Sequence, residues 1–245
     1  MSAAGGWRAA PERRLLVEEV LIVLSLSLIP SAVYAILDLL AAPLRGVTAT
    51  VYPSVGVLRQ VVAIVFPLVP VALVFYIARR SGEGLRPFGL QTDLISRDVV
   101  FGVLLALVVA AVGLGLYLGA VALGVNRFVN PAPPLGHWWT VPVLLLGAAQ
   151  AALLEEIIDV GYLIHRLEQL GWVAGAAVAA SAVLRGSYHL YQGWGGFAGN
   201  VALGVFFGLV FVKWRRTWPL VVAHGLIDTL AGLGYILFHT HLPGG

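Results

Sequence analysis

The sequence predicts an all-α protein, a polytopic transmembrane helical bundle of about seven spans. Charged residues make up only 11% of its 245 residues, against about 25% in an ordinary soluble domain, and mean hydropathy is +0.92. Too few polar side chains remain to coat a water-soluble surface. Seven stretches approach the ~20 apolar residues that a membrane-crossing helix needs, and the basic residues gather in alternate connections between them.

The apolar stretches run over 15–40, 61–78, 99–123, 139–164, 173–190, 197–212 and 220–238. Pro30, Pro67 and Pro70 predict kinks in the first two, which neighbouring helices can absorb. Arginines ahead of the first stretch give it the look of a secretory leader. Its apolar run is too long, however, and no small-residue cleavage pattern follows, so a retained first helix is expected. Polar residues 82–91 form one connector, and Asn130-Pro-Ala-Pro-Pro134 forms a stiff one on the opposite side. Gly115 with Gly119, and Gly204 with Gly208, have the spacing that lets membrane helices approach closely. No inverted repeat is evident. The chain reads as a single integral membrane domain, 1–245, with a motif-bearing core at about 139–238.

Orientation follows from the basic residues. With the N-terminus in the cytoplasm, the inner segments collect eleven of them, from Arg8 to Arg216 and including Arg166, while the outer loops hold Arg45, Arg59 and Arg127. Arg185 is left inside a span. Trp138, Trp139, Trp214 and Trp218 fall at expected interfaces. The net charge of +3 is therefore a topology signal spread over short loops, and no nucleic-acid partner is expected. The chain has no cysteine, which excludes disulfides and thiolate chemistry. Fourteen of the fifteen basic residues are arginine, and alanine and glycine abound, a composition that suggests a GC-rich bacterial source and a multi-pass cell-membrane location. His137, His165, His239 and His241 lie in loops or near span ends and read as solvated; Glu18, Glu19 and Asp38 lie near the ends of the first span and read as snorkelling or capping.

The C-terminal half places seven ionisable residues inside expected spans: Glu155, Glu156, Asp159, Arg185, His189, His224 and Asp228. A charge at the bilayer centre costs about 2.5–3.5 kcal/mol on insertion scales, so such a set is paired, hydrated or used. A hairpin turning near Gly171 and Trp172 sets Glu155 opposite His189, and Asp159 opposite Arg185. Glu155 and Asp159 share a helical face at i,i+4, as do Arg185 with His189 and His224 with Asp228. At 1.5 Å per residue, Glu155 and His224 both lie about 14 Å from the expected cytoplasmic boundary. A carboxylate balanced between desolvation and a nearby cation can act as a general base near neutral pH. A histidine oriented by a carboxylate can donate to a developing oxyanion. These groups outline peptide-bond hydrolysis by an activated water, without a covalent intermediate.

Three segments carry a resemblance: Glu155-Glu156-Ile-Ile-Asp-Val, Arg185-Gly-Ser-Tyr-His189 and His224-Gly-Leu-Ile-Asp228. They resemble the motifs E-E-x-x-x-R, F-x-x-x-H and H-x-x-x-[N/D] of the CPBP family, which comprises type II CAAX prenyl proteases and bacteriocin-processing or immunity proteins, also called Abi. The resemblance covers roughly 153–230 and implies an all-helical membrane bundle acting as a glutamate-activated intramembrane protease. It further implies Glu155 as the water-activating base, His189 as its partner, His224 and Asp228 as the oxyanion-stabilising pair, and Glu156 as a second motif carboxylate. Two positions depart from the pattern. Val160 stands where the family has arginine, and Arg185 where it has phenylalanine. A pair between Arg185 and Asp159 is expected to preserve the motif's charge, both residues acting in support.

The leading expectation is thus an intramembrane endopeptidase whose partners are a peptide or membrane-protein substrate and the lipid bilayer. A catalytically silent immunity or scaffold protein is one alternative. A proton-coupled transporter is another, and the missing inverted repeat counts against it. No cofactor is required, although two histidines and a glutamate leave zinc possible.

Overall fold

The computed structural model describes residues 10–29, 31–32, 35–36, 49–50, 60, 63–127, 129–131, 133 and 135–239. The α-helices are α1 (Ala10–Ser25), α2 (Val69–Arg80), α3 (Ile95–Ala122), α4 (Thr140–Glu155), α5 (Leu163–Gln169), α6 (Ala174–Tyr188), α7 (Trp194–Trp214) and α8 (Trp218–Phe238). A seven-residue π-helical segment, Glu156–Tyr162, joins α4 to α5 without a break. Strands β1 (Ala49–Thr50) and β2 (Val129–Asn130) form a two-residue parallel pair, Ala49 opposite Val129.

Among the described residues, five segments are long and apolar enough to cross a membrane: Ala63–Arg80, α3, the continuous rod Thr140–Gln169, α7 and α8. The chain is a multi-pass membrane protein. The first expected span begins as α1, of 16 residues, and residues 28–29, 31–32 and 35–36 are again helical; part of the expected 15–40 run, Asp38 included, lies outside the described residues. The fifth is α6, whose 15 residues extend about 22 Å, short of the ~30 Å hydrocarbon core. Pro67 lies in a 3-10 turn, Phe66–Leu68, that precedes α2.

The rod is the centre of the bundle. Its Ile157, Ile158, Val160, Tyr162 and Ile164 are fully buried, whereas α3 turns Val100, Leu104, Leu107 and Val108 outward, as a lipid-facing helix does. α6 packs on α7, and α8 packs on α3 and α4. The α6–α7 contact depends on Gly204 and Gly208: a Cβ there would lie 2.8 Å from Ala182 Cα and from Val178 Cγ1 respectively. Gly115 and Gly119, with the same spacing, meet nothing within 4 Å among the described residues, so that pair plays no part in packing among them.

At the arginine-rich end, ion pairs tie the helices together. Arg166 donates to Glu19 of α1 (2.8 Å) and to both oxygens of Glu83 (3.0 and 2.8 Å), which lies in the connector after α2. Tyr162 donates to the same Glu19 oxygen (3.1 Å). Arg215 grips Glu168 with two hydrogen bonds, and Arg216 grips Asp98 in the same way while also reaching Asp93. Arg166, counted from sequence as an inner-side cation, is fully buried. Two expectations change here: Glu19 is a partner rather than a snorkelling residue, and His165 is not simply solvated but packs edge-on against Phe88 with its Nε2 3.4 Å from Glu83. Burial opposes the Glu83 charge, but the contacts with His165, Gln169 and Arg166 outweigh it and hold its pKa down to about 2.

Candidate functional site

Two departures from plain helix shape the site. The first is the π-helical segment. Its i→i+5 bonding widens the backbone turn, so a residue four positions on no longer sits directly above its predecessor. Glu155 is the last α-helical residue and Asp159 lies inside the widened turn. Their expected common face is therefore lost. Gly161 lets this wider segment fit: a Cβ there would come within 2.8 Å of the Phe88 carbonyl oxygen and 3.0 Å of Thr217 Oγ1.

The second departure is the end of α6. His189 leaves helical geometry at φ −97° and ψ 4°, a 3-10 turn (Leu190–Gln192) follows, and Gly193 sits at φ 103° before α7 begins. Broken backbone at this depth requires cover from protein. The chain after α3 supplies it: Arg127 donates its backbone N–H to the Gln192 carbonyl (2.6 Å) and its guanidinium to the Tyr191 carbonyl (3.2 Å). Gly195 N–H in turn reaches the Val125 carbonyl (3.0 Å). The break leaves His189 at the helix terminus, facing the rod.

The expected meeting of Glu155 with His189 occurs: His189 Nε2 lies 3.7 Å from Glu155 Oε2. Tyr188 donates its hydroxyl to the same oxygen at 2.8 Å, and Gln192 Nε2 contacts His189 Nδ1 at 3.1 Å. On α8, His224 Nε2 lies 3.3 Å from Asp228 Oδ2, the expected one-turn pair.

The expected Asp159–Arg185 pair does not form. Arg185 instead donates to Glu156 Oε1 at 2.8 Å and approaches Glu155 Oε2 at 3.5 Å. Asp159 is fully buried beside Ser181, and neither of its oxygens has a hydrogen-bond partner. The π turn explains the exchange, because it redirects the carboxylates relative to α6. Arg185 has room for this reach because Gly204 abuts its stem, where a Cβ would lie 3.3 Å from Arg185 Cδ; its guanidinium also lies 5.6 Å from the Phe207 ring centroid.

His224 completes the inner pairing. Its Nδ1 is 2.7 Å from Glu156 Oε1 and 3.2 Å from an Arg185 nitrogen. One ring nitrogen has one in-plane position, so the short contact is an Nδ1–H donated to the carboxylate. Nε2 then faces Asp228. The cluster consequently has two layers. Glu155, His189 and Asp228 are partly open, their side chains 14%, 16% and 40% exposed, while Glu156 and Arg185 are sealed and His224 bridges the two.

The structure thus brings together Glu155, Glu156, Arg185, His189, His224 and Asp228, and leaves Asp159 at the margin. Tyr188, Gln192 and Arg127 were not singled out from sequence. Tyr188 and Gln192 flank a motif histidine inside an apolar run, which is the available signal; Arg127 is remote in sequence and gave none. No three His, Asp or Glu side chains among the described residues are placed to hold one metal ion.

Residues 137–230 match the family model described as Type II CAAX prenyl endopeptidase Rce1-like. The matched segment contains every member of the cluster. No curated protein and no solved structure matches the chain.

Proposed function

We propose that the chain is an intramembrane endopeptidase that hydrolyses a peptide bond with a water activated by Glu155. The observation that carries this reading is the division of labour between adjacent carboxylates. Glu156 is sealed and already accepts hydrogen bonds from Arg185 and His224, whereas Glu155 is partly open and faces His189. Glu155 therefore takes the proton of a water as its oxygen attacks the scissile carbonyl carbon. His189, 3.7 Å from that carboxylate, orients the water. The carbonyl oxygen becomes an oxyanion, and His224, which in this scheme carries a proton on both ring nitrogens between Glu156 and Asp228, redirects its Nε2–H from Asp228 to the oxyanion. Collapse of the tetrahedral intermediate breaks the C–N bond, and the proton held by Glu155 passes to the leaving amine. Arg185 acts through the two glutamates and is a positioning residue. The scheme is written without a metal step; among the described residues no three His, Asp or Glu side chains converge.

The working unit is the whole chain, one integral membrane domain with its motif-bearing core at about 139–238. The basic residues favour a cell-membrane location with a cytoplasmic N-terminus, and the composition favours a bacterial source. The substrate class is a peptide or membrane protein; a prenylated CAAX end is the family's printed specificity and is tested rather than assumed.

The decisive experiment reconstitutes the purified chain in liposomes and offers farnesylated and unprenylated peptides, with and without chelator. Wild type cleaves at least one, chelator has no effect, and Glu155→Gln and His189→Ala each lose about 10²–10⁴-fold in turnover while staying folded. Near-wild-type turnover in either variant overturns the assignment. For orientation, single cysteines near Arg86 and Lys213 stay unlabelled by an impermeant thiol reagent on intact cells, and one near Asn130 is labelled. The opposite pattern inverts the topology.

A further inference from the structure

We propose that the arginine-rich end of α3 is a binding site for an anionic phospholipid, with its phosphate held by Arg97 and Lys213 and an acyl chain laid along Val100, Phe101 and Leu104. Ser96, Arg97, Val100, Phe101 and Leu104 line a shallow, largely open groove of about 330 Å³ on the outer side of α3. Positions 97, 100, 101 and 104 recur at i, i+3, i+4 and i+7, so they share one helical face. Arg97 stands at its polar end, and Leu104 lies about 10 Å further into the apolar zone.

The second cation arrives from α7 through an aromatic relay. Phe101 packs edge-on against Trp214 at 5.1 Å, and the Lys213 ammonium lies 4.5 Å from the centroid of that indole. Trp214 is half exposed, which suits a ring at the boundary between headgroups and hydrocarbon.

Charge accounting singles out these two residues. Acids of this end are already engaged: Asp98 and Asp93 by Arg216, and Glu168 by Arg215. Arg97 and Lys213 are exposed and form no ion pair among the described residues. One uncompensated cation at the polar end of an apolar groove, with a second beside it across Trp214, matches a ligand with one anionic end and one hydrocarbon end. A soluble phosphate would use only the cations and leave the Val100–Leu104 wall without a role. The Ser96 hydroxyl adds a donor at the phosphate end.

The test uses the full chain in a neutral detergent, titrated with phosphatidylglycerol or phosphatidylcholine, with bound lipid counted by native mass spectrometry. Phosphatidylglycerol is retained in preference to phosphatidylcholine. Arg97→Ala and Lys213→Ala each weaken its retention about fivefold, the worth of one juxtamembrane cation. The double variant weakens it by about the product of the two. Arg80→Ala, which removes an exposed cation on α2, changes nothing. Leu104→Asn lowers lipid retention, and glycerol phosphate at matched concentration does not displace the lipid. Equal retention of the two lipids overturns the proposal, as does an Arg80→Ala loss equal to that of Arg97→Ala, which would mean diffuse charge. Displacement by glycerol phosphate together with an unaffected Leu104→Asn variant also overturns it, in favour of a soluble-anion site.

Discussion

The ion pairs at the arginine-rich end and the cluster inside the bundle use the same residue types, yet they are completed differently. At the end, Glu83, Glu168 and Asp98 each have both carboxylate oxygens hydrogen-bonded. In the cluster, Glu156 Oε2, both oxygens of Asp159 and Arg185 Nε are buried without a partner. Buried polar groups left unsatisfied in a native structure call for an explanation, and a functional site is a common one. At the arginine-rich end Arg166 Nη2 is likewise buried without a partner, so the contrast lies in the carboxylates. It separates acids fully committed to holding helices together from acids that keep polar capacity in reserve, and it can be tested by removing one member of each.

The largest effect is expected at Arg185. Removing one partner of a buried ion pair costs about 3–5 kcal/mol in soluble proteins, and Arg185→Met strips the guanidinium from Glu156 and Glu155 together. Thermal unfolding in detergent reads this loss. Because a buried pair replaced as a whole can be near neutral, Arg185→Met with Glu156→Leu is expected to regain much of the stability. Strictly additive losses would show that the two side chains do not communicate.

Next comes His224. If its Nε2–H stabilises the oxyanion, His224→Ala raises the barrier by about 2.7–4 kcal/mol with KM little changed. A rise in KM at constant kcat would make it a substrate-binding residue instead.

A smaller and differently signed effect belongs to Glu83. Its pKa is held down to about 2 from an ordinary 4.5. The stability it contributes is therefore complete above pH 4.5 and is lost as pH falls toward 2. Glu83→Gln is expected to flatten the melting temperature over that window while leaving proteolysis intact at neutral pH. An unchanged acid limb would mean that other carboxylates govern it.

The smallest effect is at Arg215–Glu168, where the arginine side chain is 43% exposed. Glu168→Gln costs under about 1 kcal/mol, less still at high salt. A larger loss would mean that this end is a structural keystone rather than a set of solvated latches.

Reading the sequence reached some of this contrast and missed some of it. The Glu155–His189 meeting was legible because a short turn at Gly171 fixes which residues of an antiparallel hairpin share a depth. The His224–Asp228 pair was legible because both lie on one regular helix. Asp159 was misplaced because the depth argument assumed 3.6 residues per turn through Glu156–Tyr162, where the backbone is π-helical. The partners of Arg166 and His165 were not legible, because nothing local reveals that Glu19 and Glu83, more than eighty residues away, fold back onto them.

The amino-acid sequence by itself determined the solvent, the helical class and the identity of the polar residues inside the membrane. Those depend on composition and on runs of apolar residues, which are properties of the chain read in order. The tertiary structure alone decided which carboxylate is sealed and which is open, and which of two identical glycine spacings is used. It also decided that a guanidinium from α6 serves the glutamates of the rod rather than Asp159. Those outcomes depend on rotation about helix axes and on one locally widened turn. Neither leaves a periodic trace in the sequence, and each moves a side chain by more than the reach of a hydrogen bond.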